Sequence, residues 1–156
     1  GVLNGIKDLS ETSIDEIQKC MNINVWANKV MIDSLFNHMD RIEQVVAISS
    51  GASKNGSRGW NAYALSKATL NMLINLYSKE YTNTHFSAIA PGLVDTGMQD
   101  YIYELPDDER FPVVQKLKQA KGTQSMPEPE IAAELVANSI KKAVEFESGI
   151  FIDIRD

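Results

Sequence analysis

A chain of 156 residues, 44% hydrophobic and 23% charged, has the composition of one globular domain able to bury a sizeable core. Its net charge of −6 leaves no surplus of Lys and Arg to neutralise a phosphate backbone, which argues against a nucleic-acid partner. No apolar run reaches bilayer length and no signal-peptide pattern opens the chain, so the default expectation is a cytoplasmic protein with no membrane partner. Cys20 is the only cysteine and cannot form an internal disulfide; a small buried thiol is expected there, and no metal site.

In chain order, Ser13-Ile14-Asp15-Glu16 reads as a capping box, with Ser13 as N-cap and Glu16 three residues on. Ile14, Ile17, Met21, Val25, Val30, Met31 and Leu35 then recur at helical spacing, predicting one helix to about residue 39. Gln44-Val45-Val46-Ala47-Ile48 reads as a buried strand that stops at Ser49-Ser50-Gly51. A loop rich in Gly, Ser and Asn over residues 51–59 precedes a second long helix, residues 61–81, whose apolar side carries Leu65, Leu70, Leu73, Ile74 and Tyr77.

Phe86-Ser87-Ala88-Ile89-Ala90 is a second strand, halted by Pro91-Gly92. Residues 95–127 read as a long, polar, irregular connection with helical potential near 113–121, and connections of that length are often functional lids. A third helix is expected over residues 129–146, with Pro129 in its first turn, and a final strand over 149–154. This alternation predicts an α/β domain: a parallel, doubly wound sheet with helices on both faces, spanning residues 1–156 as one unit. The first of its three strands lacks a neighbour on one side.

Tyr63-Ala64-Leu65-Ser66-Lys67 sets a phenol and an ammonium four residues apart, on one helix face. A phenol ordinarily titrates near pH 10, and a fixed cation beside it favours the phenolate. Alone the pair says little, because Tyr packed by its ring with Lys in solvent is common. Its companions change that. Ser50 and Pro91-Gly92 end two successive strands at the edge where ligands of open α/β sheets bind, and Thr96 follows four residues past Gly92. Asn24 is a polar residue in an apolar stretch of helix; its plain reading is a helix kink or packing role.

Together, Asn24-Val25, Ile48-Ser49-Ser50, Tyr63-x-x-x-Lys67 and Pro91-Gly92-x-x-x-Thr96 resemble the ordered motifs of the short-chain dehydrogenase/reductase family. The resemblance implies a Rossmann-like fold and assigns roles to matching residues. Tyr63 would protonate the substrate oxygen as hydride arrives from a nicotinamide. Lys67 would lower the Tyr63 pKa and hold the nicotinamide ribose, Ser50 would bind the substrate oxygen, and Asn24 would anchor a water. Pro91, Gly92, Val94, Asp95, Thr96 and Met98 would contact the cofactor, expected to be NADPH rather than NADH. Homodimers or homotetramers would form through the two long helices.

A narrower resemblance, to sepiapterin reductases and bacterial benzil-reductase-like proteins, rests on Gly59-Trp60, on residues 90–95 leading to Met98-Gln99, and on Ser148-Gly149-Ile150-Phe151-Ile152-Asp153. It implies a small carbonyl substrate, with Trp60, Gly92, Gln99 and Asp153 joining Ser50 and Tyr63 around it. Asp153 would hold a pterin ring by accepting two parallel hydrogen bonds; otherwise it is a solvated carboxylate at a strand end. The family's Gly-rich first strand–turn–helix, which cradles the pyrophosphate, is not among these residues. The chain therefore reads as the C-terminal catalytic portion of a reductase, expected to be inactive alone. Two other readings stand beside it: a short-chain reductase for a sugar, steroid or acyl-carrier ketone, and a non-catalytic fragment serving as an interaction module.

Overall fold

The computed structural model describes all residues from 1 to 156. Ser13 opens the first helix, α1 (Ile14–Met21), through the expected capping box: its Oγ accepts from the Glu16 N–H while the Glu16 carboxylate accepts from the Ser13 N–H. The Lys7 ammonium, with these capping bonds, holds the Glu16 carboxyl down at about 2. The long helix expected up to residue 39 is interrupted. Residues Asn22–Trp26 form a π-helical turn, after which α2 (Ala27–His38) continues. Asn24 lies within this turn, and π-turns inside helices are often found at functional sites.

Three strands follow the expected pattern: β1 (Gln44–Ile48), β2 (His85–Ala90) and β3 (Ile150–Asp153). They form a parallel sheet in the order β1-β2-β3, with Ile48 beside Ile89 and Ala90 beside Asp153. That register brings the carboxyl ends of all three strands to one edge. Between β1 and β2 lies α3 (Asn61–Glu80). Phe86 and Ala88 of β2 pack with Leu70, Ile74 and Tyr77 of α3 and Ile32 of α2, which together make the main core. The result is the expected Rossmann-like α/β architecture, with β1 at an edge of the sheet.

The connection after β2 is more ordered than its polarity suggested. Besides the helix α5 (Pro112–Ala120), close to the expected 113–121, it contains α4 (Gly97–Glu104). Only eight residues long and starting with Gly, α4 has too short a repeat to read in sequence, yet its Ile102 is buried against Trp60, Tyr63, Phe111 and Val114. The last helix, α6 (Pro129–Ala143), ends three residues earlier than expected. Several apolar residues of the first helical pattern also face outward: Ile14 is 76% exposed, Val30 68% and Met31 60%. Periodicity found the stripe but could not say what covers it. No helix is long and apolar enough to cross a membrane.

Candidate active site

The helix α3, which carries Tyr63 and Lys67, owes its placement to the opening segment. No side chain of its own N-cap residue, Trp60, caps α3; instead the Asn4 side chain accepts from the Tyr63 N–H at 2.8 Å, satisfying one of the otherwise orphaned donors. Asn61 donates to the Lys7 carbonyl at 2.6 Å and to the Thr12 hydroxyl at 2.8 Å. Tyr63 thus sits in a first helical turn stitched to residues 4–12.

One turn on, Lys67 is 6% exposed, and its Nζ donates to the carbonyl of Ile48, the last residue of β1, at 2.8 Å. The same Nζ lies 5.8 Å from the centre of the Tyr63 ring. Lys67 therefore ties the helix to the strand end that presents Ser50. Burial lowers the Lys67 pKa. Burial also raises that of Tyr63, partly offset by the nearby Ser50 hydroxyl. The direction at Tyr63 is thus opposite to that expected from a neighbouring cation, because desolvation of the phenolate outweighs any help from an ammonium turned toward a carbonyl. A phenol so placed keeps its proton at neutral pH.

A cavity of about 510 Å³ opens at this sheet edge. It gathers Ser50, Trp60, Tyr63, Lys67, Pro91, Gly92, Val94, Thr96, Met98 and Gln99, all of which the sequence had singled out. Trp60, Tyr63 and Ile102 line it and pack behind it against Phe111 and Val114; Ile102, Phe111 and Val114 all come from the connection after β2.

Three residues picked from the sequence lie elsewhere. Asn24 is buried, and its amide N–H groups donate to the Val2 carbonyl at 2.9 Å and Ser66 Oγ at 3.0 Å, while its oxygen accepts from the Val2 N–H at 2.7 Å. That side chain fastens the opening segment. Cys20 shares the cluster as the expected buried thiol, its sulfur 3.6 Å from the Val2 carbonyl. Asp95 points to Lys121, whose Nζ stands 3.4 Å away and also pairs with Asp100.

Asp153 departs furthest from expectation. Arg155 grips its carboxylate with Nε at 2.8 Å and Nη2 at 2.6 Å, and the Arg155 backbone N–H adds a third bond at 3.1 Å. Both oxygens are committed, and the Arg155 guanidinium holds the Asp153 carboxyl below the usual carboxylate range. The paired hydrogen bonds expected for a pterin find no free carboxylate here. Arg155, not Asp153, lines the cavity. Sequence reading missed it; the one available signal was a cation two residues past a strand end at the ligand-binding edge. No group of three or more His, Cys, Asp or Glu residues is arranged to hold a metal ion.

The profile of the short chain dehydrogenase family matches residues 1–106, more than half of the chain. The chain belongs to that family. Among curated relatives, the benzil reductase ((S)-benzoin forming) of Bacillus subtilis is 29% identical over 164 residues, covering 100% of this chain and 66% of that protein. Sepiapterin reductase of Bos taurus is 30% identical over 113 residues, covering 72% of this chain and 41% of that protein. The chain thus spans just under two thirds of the benzil reductase's length. Two solved structures share the fold. A short chain dehydrogenase/reductase from Saccharomyces cerevisiae matches with a TM-score of 0.84 at 24% identity, over 100% of this chain and 63% of its own. An angucycline C-6 ketoreductase with bound NADP matches with a TM-score of 0.77 at 22% identity, over 99% of this chain and 58% of its own.

Proposed function

We propose that the protein is an NADPH-dependent carbonyl reductase that converts a ketone or α-dicarbonyl to an alcohol, with Tyr63 as the proton donor. The observation that carries this is the meeting of Tyr63, Ser50 and Lys67 at one cavity: a buried, protonated phenol, a hydroxyl near it, and a buried ammonium. Ser50 binds and orients the substrate oxygen. Tyr63 delivers its proton to that oxygen as the carbonyl carbon receives hydride, so the C=O double bond becomes C–H and O–H. The hydride is the chemistry a bound nicotinamide supplies.

The residues present suit the nicotinamide end of such a cofactor. The Lys67 ammonium has three N–H donors, of which the Ile48 carbonyl takes one, leaving two for ribose hydroxyls. Gly92, with φ of 71°, keeps the mouth of the cavity open beside Val94, Thr96 and Met98. The ketoreductase with bound NADP supports NADPH over NADH. The commitment of Asp153 to Arg155 favours a dicarbonyl over a pterin.

Following NADPH and NADH oxidation by the full-length protein against benzil and sepiapterin tests this directly. Turnover of benzil with NADPH is expected, faster than with NADH and faster than that of sepiapterin. Absence of turnover with either carbonyl overturns the proposal.

Association through the long helices belongs to the same reading. Ile23, Trp26 and Val30 on one helix, and Leu65, Met72 and Leu76 on α3, are exposed at helical spacing. A homodimer or homotetramer covers them. Sedimentation should show the wild-type protein as an oligomer and the Met72→Glu/Leu76→Glu variant shifted toward monomer; identical profiles rule these residues out of the interface.

A further inference from the structure

The rim of the cavity carries a cation that the reaction above does not use. Arg155 follows β3 by two residues and is fixed from two sides. On one, Asp153 clamps Nε and Nη2. On the other, the side chain lies against two glycines: a Cβ at Gly51 would stand 2.9 Å from Nη2, and one at Gly92 would stand 3.3 Å from Cδ. A side chain at either position would push the arginine away. Since Gly51 directly follows Ser50, one end of the guanidinium is held one residue along the chain from Ser50, which shares the cavity with Tyr63.

The group is not satisfied by the chain. A guanidinium has five N–H donors in a rigid fork, and Asp153 accepts two. Nη1 makes no hydrogen bond within the protein, and the side chain is 54% exposed in a residue that lines the cavity. With Asp153 beside it the pair is neutral overall, so it offers charge-assisted N–H donors without a net field that would select anions.

We propose that Arg155 is a substrate-binding residue that selects carbonyl compounds with a second oxygen acceptor next to the carbonyl being reduced, that is, 1,2-dicarbonyls. Ser50 and Tyr63 take the oxygen that becomes the hydroxyl, and Arg155 takes its neighbour. Asp153 is then a positioning residue that aims the guanidinium. This rests on the reductase reading and adds the residue that selects a dicarbonyl within it.

Benzil and deoxybenzoin differ only in that second oxygen, so they isolate the contact. With the full-length protein and NADPH, Arg155→Met is expected to lower kcat/KM for benzil by about 10- to 100-fold, as loss of a charge-assisted hydrogen bond implies, and to leave deoxybenzoin within about twofold. Arg155→Lys, which keeps charge but not the fork, should recover only part of the benzil activity. Equal losses on both substrates overturn the proposal, since they mark a structural role. A wild-type preference for phenylglyoxylate over benzil that Arg155→Met abolishes overturns it in favour of an anion site. Should none of these carbonyls be reduced, the reductase reading fails separately, and benzil binding followed by tryptophan quenching still decides: affinity lost about tenfold or more in Arg155→Met supports the contact, while unchanged affinity or no binding overturns it.

Discussion

Replacing Tyr63 with Phe is expected to lower kcat by about 100- to 10,000-fold while leaving the fold and the affinity for nicotinamide cofactor nearly unchanged. The ring keeps its packing in the cluster of Trp60, Ile102, Phe111 and Val114, so only the hydroxyl is lost. The size follows from the role of a positioned acid, equivalent to about 3–5 kcal/mol of transition-state stabilisation. Burial holds the phenol in its protonated form at neutral pH, the state a donor requires. Steady-state rates with benzil, beside cofactor affinity from nucleotide fluorescence, check both halves. A variant that keeps more than about a tenth of wild-type turnover removes Tyr63 from the role, since a general acid contributes at least about a hundredfold.

The largest effect on stability is expected at Phe86. This residue of β2 is fully buried, and its ring stacks with those of Phe36 at 5.9 Å and Tyr77 at 6.0 Å between centroids, with Tyr81 at 6.4 Å. Phe86→Ala removes the middle of this aromatic group and leaves a cavity between α2, α3 and the sheet, costing about 3–5 kcal/mol. For a chain of this size each kcal/mol is worth roughly 2–4 °C of Tm, so a fall of about 6–20 °C is expected in thermal unfolding. Because Phe86 lies at the opposite end of β2 from Pro91-Gly92, the activity of the molecules that remain folded should change little. A Tm within about 2 °C of wild type, below the cost expected of even one kcal/mol, would mean that the neighbouring rings collapse into the space.

How much of this was legible in the sequence depended on the range of the interaction. The strand over Gln44–Ile48 and the helix beginning at Asn61 are written in runs of local pattern, and they appear where expected. The ten predicted residues that meet at the cavity follow from the parallel register, because strand ends at one sheet edge converge whatever the intervening loops do. What was not legible depends on contacts distant in sequence or on competition between partners. Nothing around Asn24 announces that Val2 will take its amide. Asp153 looked like a free carboxylate because the neighbour that neutralises it is visible only once the turn after β3 folds back. Helix α4 was hidden for another reason: eight residues hold too few apolar repeats, and its stability comes from Ile102 in a cluster assembled from four other segments. The sign of the Tyr63 shift required knowing how deeply the fold buries the phenol.

The stitching of residues 2–12 to α3 has a consequence for how the molecule breathes. Asn4 closes the first turn of the helix, Asn61 reaches back to Lys7 and Thr12, and Val2 is pinned by Asn24, so the opening segment cannot lift away without uncapping the turn that carries Tyr63. The two act as one cooperative unit: their amides share an opening free energy and exchange together with solvent, although some sixty residues separate them along the chain. The alignment of Tyr63 is thereby set by a stretch with no regular secondary structure beyond a single 3-10 turn at Leu9–Glu11. Whatever pulls on that stretch is felt first at the phenol.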